Sequence, residues 1–387
     1  MKDLNVYLIA GKHPHYESQV KNPPRGVQYI NWFGGPQQSD FDTMKVYSKN
    51  FNLIRRTALS TFKFFKLPAI YYVIRSCDLI HSNSLLILNN KPWVIEAEHA
   101  ASFLGLQKER LTDKNITKKV EKILSRDSCK RILPMSEISK KTIEHFYDTS
   151  KFKSKIQVLY PSIAPAPKIE SKRNSDRIRL SYVSNSFFDK GGKEVVEAFI
   201  NLQKKYDIEL LLKSDVSRGH IHRCTFDEFV KKYKNHPNLT FDTNIYTRDK
   251  LFSEIYLKSD IFVYPTFGDM FGGFVLLEAM SAGLPCIGPR QGAVPEVIED
   301  MKTGLLFEPV LKDFDISYML KHTYDNSKQK FPKIVERLEE KISFLIENDD
   351  IRRAMTKNAK MEIASGKFSI ATRNNIIKNI YEESLKN

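Results

Sequence analysis

Short apolar runs alternate along this chain with longer segments whose apolar residues recur at helical spacing. Val6 to Ala10, Cys77 to His81, Trp93 to Glu96, Arg131 to Met135 and Ile156 to Tyr160 form a first series. Ile178 to Val183, Glu209 to Leu212, Leu239 to Phe241, Ile261 to Tyr264, Pro285 to Gly288 and Gly304 to Phe307 form a second. Brief runs of this kind, separated by helical stretches, predict parallel strands joined by crossover helices, an α/β chain. Between the two series lies Ala164 to Asp176, APAPKIESKRNSD, which is polar and proline-bearing and reads as a linker. The last stretch, Phe368 to Leu385, again has its apolar residues at helical spacing.

Length and composition fit this division. At 387 residues the chain exceeds what one core usually holds, so two domains of about 150 to 200 residues are expected. With 41% hydrophobic and 28% charged residues it is a globular chain, not a disordered one. No apolar stretch approaches the ~18 to 20 residues that span a bilayer, and the opening MKDLNVYLIAG reads as a first strand rather than a signal peptide. A cytoplasmic protein is therefore expected. Cys77, Cys129, Cys224 and Cys286 are widely spaced, which predicts four buried thiols in a reducing compartment rather than a disulfide or zinc framework.

The most informative chemistry sits between Asp260 and Pro309. The run Ile261 to Tyr264 ends at Pro265, and Gly268, Gly272 and Gly273 then open a helix carrying Phe274, Leu277, Glu278 and Ala282. Glycine lets a backbone approach a ligand without a Cβ, and the first N–H groups of a helix have no internal partner, so such an elbow suits a diphosphate. Glu278 lies about two turns into that helix, within reach of a ribose joined to that phosphate at ~1.5 Å rise per residue.

These residues resemble the donor site of the retaining glycosyltransferases of family 4. The matching residues are Glu278-Ala279-Met280-Ser281-Ala282-Gly283-Leu284-Pro285 and Ala293-Val294-Pro295-Glu296. The resemblance implies the GT-B fold: two facing Rossmann-like domains with a central cleft, and a C-terminal helix crossing back to the first domain. It divides the chain into an acceptor domain (1–165), a linker (166–176), a nucleotide-sugar-binding domain (177–366) and the crossover helix (367–387). In the family a second glutamate holds the ribose hydroxyls, which implies that role for Glu278, with Phe271, Gly272, Gly273 and Phe274 lining the donor. The first family glutamate is replaced here by Met270. Either Asp269, one residue earlier, takes over its bond to a sugar hydroxyl, or no side chain makes that bond.

Further matches fall outside this segment. Leu180 to Gly192, LSYVSNSFFDKGG, resembles the first strand and phosphate turn of the family's nucleotide domain. Lys190 keeps the family lysine, whose charge would stabilise a departing diphosphate, while Asn185 stands where an arginine is usual. Lys213, after Glu209 to Leu212, is a second candidate cation. A solvated surface position is the alternative for both lysines. In the first domain, Trp93 to His99 places His99 at a strand end where the family has a histidine. Its imidazole could bond a donor hydroxyl or phosphate oxygen, and its pKa near 6.5 makes that contact pH-sensitive; a helix-capping histidine with no ligand is the alternative. Ser136 matches a strand-end serine that could equally cap a helix. Gly11, Gly26 or the pair Gly34 and Gly35 could form the glycine turn after the first strand.

The resemblance thus implies a retaining, metal-independent hexosyltransferase acting in cell-surface glycan or glycolipid synthesis. Its substrates would be a UDP- or GDP-sugar donor and a glycan or lipid-linked acceptor, and no further cofactor is implied. The triplets Asp40-Phe41-Asp42 and Asp313-Phe314-Asp315 lie away from the elbow and read as loop residues, so no metal is expected. A formal charge of +15 raises the question of anionic partners. The basic segment 44–77 combines helical apolar spacing with seven Lys or Arg and no acid, which suits an anionic membrane surface and equally a crossover helix packed on its sheet. No nucleic-acid-binding motif accompanies the charge. Two rival functions stand beside this one. One is a nucleotide-sugar epimerase. The other is a non-catalytic scaffold or partner subunit, since Met270 and Asn185 replace two residues that would bind the donor.

Overall fold

The computed structural model describes residues 3–10, 14–30, 65, 67–169, 176–214, 223–270, 273–309, 316 and 328–386. Phe271, Gly272, Gly11, Gly34, Gly35, both Asp-x-Asp triplets, linker residues 170–175 and most of the basic segment 44–77 lie outside them. The chain divides into two compact units, Met1–Ile163 with Lys367–Asn387, and Ala164–Gly366.

The first unit is built on a parallel sheet of β1 (Leu4–Ile9), β2 (Val27–Ile30), β4 (Leu79–Asn83), β6 (Trp93–Ala97) and β7 (Cys129–Pro134), in the order β2-β1-β4-β6-β7. A small pair, β3 (Ile70–Tyr71) with β5 (Leu86–Ile87), stands apart from it. Strand β2 has no counterpart among the runs expected from the sequence. Conversely, Ile156 to Tyr160 forms no strand: it touches β7 through one bridge at Ile132, with Gln157 N–H donating to Ile132 O at 3.0 Å and Leu159 N–H to Pro134 O at 2.9 Å. Pro134 has no N–H to return, so the ladder stops. The C-terminal helix Ile370–Lys386 belongs to this unit, and its Ile377, Ile380 and Tyr381 pack with Val6, Leu8, Leu79 and Leu133.

The second unit has six parallel strands: β8 (Ile178–Val183), β9 (Ile208–Lys213), β10 (Leu239–Asp242), β11 (Ile261–Val263), β12 (Cys286–Pro289) and β13 (Gly304–Phe307). Their order is β10-β9-β8-β11-β12-β13. Counted from β8 this is 3-2-1-4-5-6, the dinucleotide-binding order, in which the direction of winding reverses between β8 and β11. Two loops leaving neighbouring strand ends in opposite senses open a crevice there, so the loops after β8 and β11 are the parts of this unit placed to hold a ligand. Behind them the helices Gly192–Leu202 and Pro332–Glu347 cover the sheet through Val195, Val196, Phe199, Leu338 and Ile342, all buried. Burying such side chains contributes roughly 1.5 to 3 kcal/mol each.

Three of the four thiols are buried as expected, but Cys224 is exposed, on the first turn of the helix Arg223–Tyr233. Cys224 lies two residues before the buried Phe226, so at ~3.6 residues per turn it falls on the opposite, outward side of that helix. No helix among the described residues is long and apolar enough to cross a membrane.

Candidate functional site

The loop after β8 carries Asn185, which is exposed, and ends at Lys190, Gly191 and the helix Gly192–Leu202. Gly191 has φ +73°, and a Cβ there would lie 2.5 Å from the Pro265 carbonyl oxygen. Only glycine lets this turn press against the loop after β11. That close approach brings Lys190 onto its neighbour: Lys190 Nζ donates to Gly268 O at 2.7 Å and to Asp269 Oδ2 at 3.1 Å, and lies 5.7 Å from the centre of the Tyr264 ring. Lys190 is therefore no free surface lysine, although its side chain keeps 21% exposure.

Asp269 is the centre of this loop. Its Oδ2 also accepts the Tyr264 hydroxyl at 2.8 Å, and its Oδ1 accepts the Gly273 N–H at 2.9 Å. A buried carboxylate with three donors from its own chain is a brace for the elbow. The Gly273 amide, expected to face phosphate, instead serves Asp269. Gly273 adopts φ +66° ahead of the helix Phe274–Ala282, with Tyr264 and Asp269 packed where a Cβ would stand.

Phe274 and Glu278 sit four residues apart on that helix, hence on one face. Glu278 is buried, 4% exposed. Its Oε2 accepts the Tyr256 hydroxyl at 3.0 Å and its Oε1 lies 3.5 Å from Arg248 Nε. Burial pushes the Glu278 carboxyl above its ordinary value, while Arg248 and then the Tyr256 hydroxyl oppose the rise. Lys213, the last residue of β9, is buried rather than solvated, with Nζ 5.6 Å from the Tyr246 ring centre. Its carbonyl accepts Ser184 N–H at 3.1 Å, so the ends of β8 and β9 that bear Asn185 and Lys213 are adjacent. The structure thus gathers Lys190, Asp269 and Gly273 into one bonded cluster and sets Phe274 and Glu278 on the helix that follows. Arg248, Tyr256 and Tyr264, which hold the two carboxylates, carried no sequence signal beyond being polar or aromatic.

His99 lies in the first unit and caps the short helix Ala100–Leu104. Its Nδ1 accepts Ala101 N–H at 3.1 Å, and Ser102 Oγ accepts His99 N–H at 3.2 Å. Since Nδ1 is the acceptor, the neutral ring carries its proton on Nε2 and offers a donor there. Burial, then the nearby Lys108 charge, pushes its pKa down to about 4. The pH sensitivity expected near neutrality is therefore absent, because a buried imidazolium beside a lysine is disfavoured. Ser136 likewise caps a helix, Glu137–Phe146, accepting Ser139 N–H at 3.0 Å.

The same unit holds a buried ionic cluster whose members no sequence pattern joined. Glu96 on β6 accepts Arg373 Nη2 at 2.5 Å on Oε1 and His15 Nε2 at 2.8 Å on Oε2, and His81 Nε2 stands 2.9 Å from Oε1. His81 Nδ1 meets the Tyr381 hydroxyl at 2.5 Å. Burial pushes the Glu96 carboxyl up, but Arg373 and then His15 outweigh it and hold it well below the usual carboxylate range. For His15, burial outweighs Glu96 and lowers its pKa, so the ring stays neutral and donates.

Similarity to known proteins bears on this site. Residues 166–328 match the family model of glycosyl transferases group 1. The N-acetyl-alpha-D-glucosaminyl L-malate synthase of Bacillus anthracis is 29% identical over 185 residues, 45% of this chain and 46% of that protein. The sulfoquinovosyl transferase SQD2 of Arabidopsis thaliana is 43% identical over 60 residues, 15% of this chain and 12% of that protein. The chain thus aligns with less than half the length of these curated relatives. A glycosyltransferase structure from Rickettsia africae superposes over 100% of both chains with a TM-score of 0.66 at 16% identity. The Anabaena HepE structure in complex with UDP and glucose superposes over 98% of this chain and 100% of that one, with a TM-score of 0.62 at 14% identity. The fold is that of GT-B glycosyltransferases, two Rossmann-like domains. Over residues 166–328, less than half of its length, the chain resembles the glycosyl transferases group 1 family.

Proposed function

We propose that the protein is a retaining glycosyltransferase that moves a hexosyl group from a UDP- or GDP-sugar to a hydroxyl of a glycan or lipid-linked acceptor, without a metal ion. The observation that carries the reading is the bonded elbow at the crossing of β8 and β11, where Lys190 and the start of the helix Phe274–Ala282 meet and Glu278 follows on the same helix. The match of residues 166–328 to a glycosyltransferase family supports it, as does the UDP in the superposed HepE structure. In this reading Glu278 accepts the ribose hydroxyls, and Lys190 balances the charge that grows on the diphosphate as the glycosidic bond breaks. Asn185, Lys213, Phe271, Gly272, Gly273 and Phe274 would line the donor. Asp269 holds Lys190 and the Gly273 turn in place. His99 would offer a neutral Nε2–H donor, the role that the family resemblance implies for it.

No carboxylate occupies position 270, where Met270 stands, so retention would come from attack by the acceptor on the face the leaving group vacates, with a phosphate oxygen taking the proton. Catalysis then rests on positioning and on charge at the diphosphate. A panel of UDP-, GDP- and ADP-sugars, incubated with the protein and EDTA, is expected to yield slow hydrolysis of one donor. Nuclear magnetic resonance of the first-formed sugar should show the donor's own anomeric configuration. An inverted product, or a rate abolished by EDTA and restored by a divalent ion, would contradict the mechanism. Interconversion of the sugar with no loss of nucleotide would instead favour an epimerase.

A further inference from the structure

We propose that Arg248 is a positioning residue for the nucleoside end of the donor, its guanidinium fixing the Glu278 carboxylate that would receive the ribose hydroxyls. The inference rests on the ribose role proposed for Glu278 and adds a residue that the donor-site resemblance does not include. Arg248 opens the helix Arg248–Glu254, whose N-cap Thr247 accepts Lys250 N–H at 3.3 Å, so its backbone is anchored at the first turn. Its guanidinium carbon lies 5.6 Å from the Phe252 ring centre and 5.9 Å from that of Phe274. Two aromatic rings thus hold a planar cation in place, an arrangement suited to arginine and poorly met by lysine. From there Nε faces Glu278 Oε1 at 3.5 Å, while the Tyr256 hydroxyl takes Oε2.

The arrangement fixes what the carboxylate can still do. A carboxylate has about four lone-pair sites, and Tyr256 uses one on Oε2, so each oxygen keeps capacity for a hydroxyl. A pair of vicinal ribose hydroxyls is a bidentate donor of matching width, whereas protonation would turn one of those acceptor sites into a donor. Burial favours the protonated form, and Arg248 is the cation that opposes it. The groups that face this carboxyl among the described residues are Arg248 and Tyr256. The helix Asp349–Ser365, which packs on Phe274–Ala282, brings Lys360 to Gly283 at the far end of that helix.

The sign of the expected pH effect follows. If binding needs the ionised carboxylate, affinity is lost as pH falls through the Glu278 pKa, and removing Arg248 raises that pKa and moves the loss to higher pH. Calorimetric titration with UDP and with GDP between pH 5.5 and 8.5 on the full-length protein tests this. The better-bound nucleotide is then followed in Arg248→Gln, Arg248→Lys and Glu278→Gln, each checked by thermal melting. Arg248→Gln is expected to weaken binding about tenfold near pH 6 and less at pH 8. Arg248→Lys should return the acid limb toward wild type without restoring full affinity. Glu278→Gln should bind weakly with no acid limb from this group. If Arg248→Gln follows the wild-type pH profile, or weakens binding equally at every pH, while Glu278→Gln loses affinity, the role of Arg248 is wrong and the donor site stands. If Glu278→Gln binds as wild type does, the ribose assignment itself fails.

Discussion

Replacing Lys190 by alanine is expected to lower glycosyl transfer about a hundred- to a thousandfold, the cost of removing one preorganised donor from the place where charge develops. The argument is positional. A Cβ at position 191 would stand 2.5 Å from the Pro265 carbonyl oxygen, and the close approach that glycine permits there puts the lysine at the winding reversal between β8 and β11. Nζ is held by Gly268 O and Asp269 Oδ2 with one of its three donors uncommitted to those two oxygens. Asp269 keeps its bonds from Tyr264 and Gly273 in the variant, so the elbow should survive. The loss should therefore appear mainly in turnover, with donor affinity changed much less and thermal unfolding nearly unmoved. Measured single-turnover rates with the donor found in the panel check it. A fall of less than tenfold, or a collapse of the melting transition that accounts for the loss, would remove Lys190 from the chemistry.

The second large effect concerns stability of the first unit. Glu96→Gln should destabilise it by about 3 to 5 kcal/mol, because it leaves the Arg373 guanidinium buried without its counter-charge. Glu96 and Arg373 are each 1% exposed, so solvent does little to screen the deficit. Urea unfolding of wild type, Glu96→Gln and the double variant Glu96→Gln/Arg373→Met measures it, with the double variant expected to be more stable than the single one. The pH dependence has a defined sign. The Glu96 pKa is lowered in the folded chain, so its contribution is present above the ordinary carboxylate value of 4.5 and is lost as pH falls below it. The His15 pKa is also lowered, so the unfolded chain takes up that proton first and stability declines as pH drops below 6.5. Glu96→Gln should abolish the more acidic loss and keep the other. A variant as stable as wild type at pH 7 would show that the cluster does not hold the C-terminal helix to its sheet.

The core strands were legible because burial on both faces leaves short continuous apolar runs, and most of those runs became strands. The order of the strands was not, since periodicity reports local burial and says nothing about which strand lies next to which. For the same reason the reversal between β8 and β11, which places the site, could be inferred only through the resemblance to a family. The failed expectation at Ile156 to Tyr160 came from a property of its neighbour: Pro134 cannot donate to a further strand. Within the site, Glu278 and Lys190 stood out through their glycine-rich surroundings. The partners of Glu278 and Glu96 did not. Tyr256 lies 22 residues from the glutamate it bonds, and Arg373 lies 277 residues from Glu96. Residues paired over such distances leave no spacing to read. His99 illustrates the converse: its type suggested a group titrating near neutrality, and only its burial, with the pKa pushed down to about 4, shows a neutral cap.

The central claim is that the loops after β8 and β11 bind the diphosphate and ribose of a nucleotide sugar, and calorimetric titration of UDP and GDP into wild type and Glu278→Ala at pH 7.5 tests it most directly. The account predicts that one nucleotide binds the wild type and that Glu278→Ala weakens it at least about tenfold, the loss of one charge-assisted pair of hydrogen bonds. Binding of neither nucleotide, or equal binding by both proteins, would contradict it.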